Sequence, residues 1–242
     1  MSLCARLPWL VAQAEVEMLF LSWPVEPATI ADRLPGGLTL ETFDQRGWIT
    51  LIPFRMEGMR ARGLPPIPPF SRFAEVDCLT YVRRGPVSGI WFFRIDAGTS
   101  VGSALARWLF GLPYHHSRVA LHKEGEWWRF SSTGKAEGSG PVPELRLQYR
   151  ATGPEHRAAP GTLAHFIVER LVMFSQSGRG RLLEGREARP PRSIQECEVS
   201  ILRNTLPEAA AVPAPAGDPV AWYCARSVIH TWLPAPVTRR GR

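Results

Sequence analysis

The 242-residue sequence predicts a mainly β domain, α+β at the margin, with about ten antiparallel strands and two main helices. Three observations predict it. Apolar and aromatic residues recur with period two in many short runs, which places alternate side chains on one sheet face. Turns rich in Gly and Pro separate those runs. Hydrophobic residues make up 45 % of the chain and charged residues 21 %, enough apolar material for a full core. Strands this numerous close into a barrel or fold into a sandwich, because exposed edges aggregate.

The elements follow in order. Val16 to Val25 is apolar and aromatic and reads as a buried strand ending at Pro24. Residues 27–35 read as a short helix closed by Pro35-Gly36-Gly37. Leu38 to Phe43 and Trp48 to Met56 are expected strands around the four-residue hairpin loop Asp44 to Gly47. Residues 63–69 carry four prolines, which lack ladder donors, so this stretch reads as an ordered polyproline-like loop. Strand patterns match on both sides of it, so residues 1–242 read as a single domain. Phe73 to Arg84 alternates, and Ile90 to Asp96 returns after the turn at residues 85–89.

Thr99 or Ser100 caps a helix to about Phe110, with an apolar stripe of Val101, Ala104, Leu105, Trp108 and Leu109. Gly111 and Pro113 stop it. Tyr114 to His122, Glu126 to Ser132 and the alternation around Leu145, Leu147 and Tyr149 are strands. Thr162 caps a second helix running to about Phe174. Residues 181–187, 192–203 and 221–233 read as strands, and 207–219 as a Pro- and Ala-rich loop. The basic tail, about 236–242, is expected to fray.

Net charge is +7, and only Lys123 and Lys135 are lysines. The arginines are scattered, with short pairs at Arg83-Arg84 and Arg239-Arg240. Nucleic-acid binders concentrate basic residues on one face or in one run, so nucleic acid is disfavoured as a partner. Cys4, Cys78, Cys197 and Cys224 are far apart with no C-x-x-C, which disfavours a zinc or redox motif and fits buried free thiols. Ala12-Gln13-Ala14 mimics a signal-peptidase site, but Arg6 and Pro8 interrupt the start and the apolar stretch is short. Glu15 and Glu17 break the best apolar run. The expectation is a cytoplasmic protein with no membrane span. Homo-oligomerisation is left open.

Two constellations could carry chemistry. On Phe73 to Arg84, one face holds Phe73, Glu75, Asp77, Leu79 and Tyr81, and the other holds Ala74, Val76, Cys78, Thr80 and Val82. The second face is apolar and packs. The first sets two carboxylates among aromatics, about 7 Å apart at ~3.3 Å rise per residue. That suits acid/base work if the face is enclosed; a solvated face, or pairing with Arg94 or Arg118, is the plain alternative. Pro113-Tyr114-His115-His116 follows a helix stop, which places Tyr114, His115 and His116 at a mouth or interior. Imidazole is the usual acid/base near neutral pH, but each histidine alone more often serves a β-edge. A zinc site from His115, His116 and His122 lacks a third ligand on one face. No nucleophile elbow, P-loop, Rossmann fingerprint or H-E-x-x-H is present.

Several stretches in combination resemble the YqjF-like bacterial family. They are Phe20-Leu21-Ser22-Trp23-Pro24-Val25, Leu34-Pro35-Gly36-Gly37-Leu38, Thr42-Phe43-Asp44, Pro53-Phe54-Arg55-Met56, Gly89-Ile90-Trp91-Phe92-Phe93, Ala106-Arg107 with Leu112-Pro113-Tyr114, and Glu169-Arg170. Leu171, Ala188-Arg189-Pro190-Pro191 and Thr133 depart from the family pattern. The family sits in the acetoacetate-decarboxylase-like superfamily, so the resemblance implies a wide antiparallel β-barrel with a central cavity. Acetoacetate decarboxylases carry Gly-Arg-Glu and then Pro-Lys-Lys, whose first lysine forms a Schiff base. Here the matching run is Ala106-Arg107-Trp108 and then Pro113-Tyr114-His115. Arg107 and Pro113 survive and both lysines are gone. Glu75 looks like the counterpart of the decarboxylases' cavity glutamate.

A Schiff base needs a primary amine, which neither Tyr114 nor His115 offers. Decarboxylation by that mechanism is therefore not expected. The resemblance instead implies a small-molecule ligand in a barrel cavity; the residues themselves lead to the expectation of no cofactor and no metal. In one reading the protein acts on a small oxo- or carboxylic acid. Glu75, Tyr114, His115 and His116 are then the acid/base candidates, and Arg107, Arg94, Arg118 and Tyr81 hold the substrate. In the other, an aromatic-lined barrel carries or senses an apolar or amphipathic ligand without catalysis.

Overall fold

The computed structural model describes residues 8–68, 71–136 and 138–237. In chain order its elements are β1 (Val11–Val25), α1 (Pro27–Ala31), β2 (Thr39–Leu40), β3 (Gly47–Ala61), β4 (Arg72–Arg84), β5 (Val87–Ala97), α2 (Ser100–Phe110), β6 (Tyr114–His116), β7 (Arg118–Glu124), β8 (Trp127–Thr133), β9 (Glu144–Ala151), β10 (His156–Arg157), α3 (Leu163–Val168), β11 (Val172–Gln176), β12 (Leu182–Ala188), β13 (Ser193–Asn204), α4 (Leu206–Ala209), β14 (Val220–Thr231) and β15 (Ala235–Pro236). The mainly β class is observed.

The pairing order β12-β11-β5-β4-β3-β1-β14 returns on itself, because β12 also pairs with β14. Seven strands thus form a closed ring. The pairing is antiparallel except where β11 and β6 lie parallel to β5. From β14 the sheet continues through β13, β9, β8 and β7. Ring strands therefore have two apolar faces. Leu19, Leu21, Ile49, Leu51, Val76 and Cys78 pack with Phe130, Leu145, Leu147 and Tyr149 of this extension. Met18, Phe20, Phe54, Met56, Leu79, Tyr81, Phe92 and Ile95 form a second core inside the ring.

Two bulges set which residues face inward. Glu17 sits in β1 at φ 56°, within a register shift between β1 and β3. Before it, Val11, Gln13 and Glu15 line the interior; after it, Met18 and Phe20 do. One extra residue has switched the inward set from odd to even positions. Tyr149 and Tyr223 both donate their hydroxyls to Glu17, to its carbonyl and carboxylate respectively. In β5 the register skips Phe93, which packs outward while Phe92 and Ile95 face in.

Several expectations need correcting. There are fifteen strands and four helices among the described residues, not ten and two, because short pairings and one-turn helices are invisible to periodicity. The second helix stops at Val168. Val172 to Phe174 is a strand buried between β5 and β12, and a short apolar run looks the same in either state. Ser117 splits the strand expected at Tyr114 to His122. The expected hairpin around Asp44 to Gly47 keeps only the bridge Phe43↔Arg46, because β2 pairs with β4 beyond the end of β3. Pro236, the first residue of the expected tail, pairs with β12; residues 238–242, with Arg239-Arg240, lie outside the described residues, as does Cys4. Cys78 and Cys224 are buried thiols and Cys197 is half-buried. Among the described residues, no helix is long and apolar enough to cross a membrane.

Candidate active site inside the strand ring

The alternation of β4 carries Glu75, Asp77, Leu79 and Tyr81 into the ring interior. Across the sheet, Asp77 lies opposite Ile52 on β3 and Ile95 on β5, and Ile95 lies beside Tyr114 on β6. This row fixes the central group. Tyr114 donates its hydroxyl to Glu75 Oε1 at 3.1 Å. Glu75 is 2 % exposed. Its Oε2 and Asp77 Oδ1 are buried without a hydrogen-bond partner, although each carboxyl lies within hydrogen-bonding reach of the other.

Two adjoining pockets, a larger and a smaller lobe, share a wall here. The larger, about 110 Å³, is lined by Glu75, Asp77 and Tyr114 and by apolar side chains including Phe54, Met56, Ile95, Phe110 and Leu112. The smaller, about 50 Å³, is lined by Met18, Phe20, Tyr81, Arg170 and Arg192, among others. Glu15, Phe54, Asp77, Phe92 and Glu187 line both. The smaller lobe ends on a buried hydroxyl chain: Ser22 and Thr50 are 2.8 Å apart, and Thr50 and Tyr81 are 2.7 Å apart.

Burial shapes the electrostatics, because an apolar surround disfavours the charged form of a carboxyl. Glu75 is pushed up from 4.5 to about 8 by burial, partly offset by the Tyr114 hydrogen bond and reinforced by the charge of Glu15. Asp77 is raised well above its ordinary value by burial and then by Glu75. Glu187 is pushed up to about 7 by burial and by Glu15, against the pull of Arg192 and Arg189. Burial likewise raises Tyr114. The Glu75–Asp77 pair therefore retains a proton at pH 7, where isolated carboxyls have none. A buried carboxyl pair that holds a proton can give or take it at a bound molecule.

The structure brings together only part of the expected set. Glu75, Tyr114 and Tyr81 line the cavity, but the Tyr81 hydroxyl is engaged by Thr50. His115 and His116 do not line it, and His116 is exposed. Arg94 turns to the opposite face of β5, where its Nε lies 3.1 Å from Asp96 and Ser117 also bonds Asp96. Arg118 is exposed on β7. Arg107 is also exposed, and α2 turns a different face inward from the expected stripe. Ala106 and Phe110 face the cavity and Ser103 is buried, while Ala104 is exposed and Trp108 is 80 % exposed.

Sequence reading does not single out Glu15, Glu187, Arg170 or Arg192. The signal for Glu15 is the alternation Val11, Gln13, Glu15 ahead of the apolar run. No local pattern marks the others, which arrive from the far side of the ring. Both lysines are exposed, and Lys123 lies over the Trp128 ring at 5.5 Å. Among the described residues, no three His, Cys, Asp or Glu side chains are grouped to hold a metal ion.

Comparison with known proteins agrees with this architecture. The pattern of the DUF2071 family, described as an uncharacterized conserved protein, matches residues 13–228. The chain is 28 % identical to the uncharacterized protein YqjF of Bacillus subtilis (strain 168) over 224 residues, covering 93 % of this chain and 91 % of that protein. An acetoacetate decarboxylase-like enzyme from Sphingomonas wittichii RW1 superposes with a TM-score of 0.65 at 14 % identity, covering 96 % and 94 % of the two chains. The enduracididine biosynthesis enzyme MppR, complexed with pyruvate, superposes with a TM-score of 0.67 at 10 % identity, covering 98 % and 93 %. At these identities the likeness to solved structures is one of fold.

Proposed function

The chain belongs to the DUF2071 family, and from that premise we propose that it binds a small oxo- or carboxylic acid inside the ring and performs acid/base chemistry on it with Glu75, Asp77 and Tyr114. The observation that carries this reading is the carboxyl pair in the cavity wall, whose Glu75 Oε2 and Asp77 Oδ1 are buried with no hydrogen-bond donor. Such groups are costly to bury unless a ligand or a reaction uses them. A cavity of about 150 Å³ holds benzene, so a lobe of about 110 Å³ suits a molecule of only a few heavy atoms.

In this reading the neutral member of the pair donates to a carbonyl oxygen of the substrate, and the pair takes up a proton from the neighbouring carbon or oxygen. Tyr114 fixes the Glu75 carboxyl so that its second oxygen stays available. A lysine Schiff base has no part, because both lysines lie on the surface.

The test is a thermal-shift panel of small oxo-acids, hydroxy acids, ketones and fatty acids. Ligand at about 100 times its Kd adds ~2.7 kcal/mol, or several degrees at roughly 2–4 °C per kcal/mol. Oxo- or carboxylic acids should shift the wild type, and Glu75→Gln and Tyr114→Phe should abolish turnover of the hit. Unchanged turnover in both variants would sink the acid/base role. A shift confined to fatty acids, with no turnover, would replace it with a carrier.

A further inference from the structure

We propose that the smaller lobe is a carboxylate seat in which Arg192, supported by Arg170, holds the anionic end of the ligand while its reacting end lies against Asp77 and Glu75. The proposal rests on the reading above and assigns that ligand a charge and an orientation.

Three arginines converge on this side of the ring. The Arg189, Arg192 and Arg170 side chains are 0 %, 9 % and 10 % exposed. Several of their donors are committed. Arg189 donates to Glu169 at 2.8 Å and to the Val168 carbonyl at 2.7 Å. Arg170 donates to the Phe166 carbonyl and to Glu41, each at 2.7 Å. Arg192 donates to the Val168 carbonyl at 2.9 Å and to Glu15 at 2.8 Å, and its backbone N–H bonds Glu169 at 2.8 Å. These contacts cap the end of α3 and lock the side chains in place, so a ligand meets a rigid site.

What the contacts leave over points to the ligand. Arg192 Nε is buried with no partner, and Arg192 lines the smaller lobe together with Arg170. A guanidinium has five donors and no acceptor, so an unpaired N–H beside this lobe calls for an acceptor, and best an anion. Glu15, Asp77 and Glu187 also line this lobe, Glu15 already paired with Arg192, and the other walls are apolar or aromatic, among them Met18, Phe20 and Ile167. Arg192 lies 5.2 Å over the Phe20 ring, and Arg170 lies 5.2 Å over Tyr81 and 4.3 Å over Phe166. A lobe of about 50 Å³ has room for a planar carboxylate and little more.

Asp77 supplies the link between the two ends, since it lines both lobes. A ligand anchored at Arg192 must therefore put its next atoms beside the carboxyl pair. Asp77 and Glu187 face either lobe, but the opposite orientation would add Glu75 beside the anion, place it where no arginine is among the lining residues, and leave Arg192 Nε unmatched. The ligand class is thus a short monoanionic acid, with its carbonyl or hydroxyl close to the carboxylate.

The experiment compares short 2-oxo and 3-oxo acids with their methyl esters by calorimetric titration of the full chain at pH 7. For the wild type, the acid should bind at least about tenfold tighter than its ester, an ordinary worth for a charge-assisted pair. Arg192→Gln and Arg170→Gln should each reduce that preference, and Arg192→Lys should restore part of it. If Arg192→Gln does not fold, the acid-to-ester ratio of the wild type and its reduction in Arg170→Gln still decide. Equal binding of acid and ester, or a preference untouched by these variants, would overturn the proposal. The two readings fail separately. Neutral ketones bound as tightly as acids, with turnover that needs Glu75, would remove the seat and leave the acid/base reading. An acid preference lost in Arg192→Gln, with turnover indifferent to Glu75→Gln, would do the reverse.

Discussion

A single buried carboxyl makes the first prediction at the scale of the residue. Glu75 is pushed up from 4.5 to about 8, so between those values the folded chain holds a proton that the unfolded chain has released. Stability conferred in this way is complete below about pH 4.5 and is lost as pH rises through about 8. Glu187, at about 7, acts in the same direction. Every tenfold gain in proton affinity on folding is worth about 1.4 kcal/mol, so Tm should fall by at least roughly 3–6 °C between pH 5.5 and 8.5. Glu75→Gln, which cannot ionise, should flatten this slope. A wild-type Tm that stays level or rises over the same range would contradict the assignment. Glu75 and Tyr114 were legible in the sequence because alternation alone put a carboxylate among aromatics and a tyrosine directly after a helix stop. Arg192 and Glu187 were not, since their proximity to Glu75 depends on how the ring closes.

At the scale of the element, phase decides more than composition. The strand pattern of β4 read correctly from period two because its register within the strand is unbroken against β3. The face of α2 did not, because its most hydrophobic stripe includes Trp108, which points to solvent, while the smaller Ala106 faces the cavity. Ser103, Ala106 and Phe110 turn inward instead. Steric fit governs the parallel contact of β5 with β11. A Cβ on Gly89 would stand 2.7 Å from the Val172 carbonyl oxygen and 2.9 Å from Phe174. Backbone cannot retreat as a flexible side chain can, so Gly89→Ala should destabilise the fold by roughly 1–3 kcal/mol. Urea denaturation would show it as a lower midpoint at unchanged slope; a variant as stable as the wild type would mean that the two strands are free to part.

The whole molecule is a ring with an uneven seam. β1 and β14 are joined along eleven paired positions, whereas β12 and β14 meet at only Glu187↔Thr231 and Ala188↔His230. Thr231 Oγ1 is buried there without a partner, and Glu187 and Thr231 both line the larger lobe. Hydrogen exchange should therefore find the Trp232 amide, which bonds the Arg186 carbonyl across this seam, opening well before the amides of residues 18–22. Uniform protection around the ring would refute a weak seam. None of this closure was legible in the sequence, where strand number suggested either a barrel or a sandwich and could not choose the strand that returns to the start. The extra residue at Glu17 has a consequence for descent. Losing it would exchange inside for outside over half of β1, placing either Glu15 or the pair Met18 and Phe20 on the wrong side of the wall. Gene lineages carrying this fold are thus free to drift in residue type along β1 but not in length. Alignments of its relatives should show gaps accumulating in the connecting loops and none between the positions of Glu15 and Phe20.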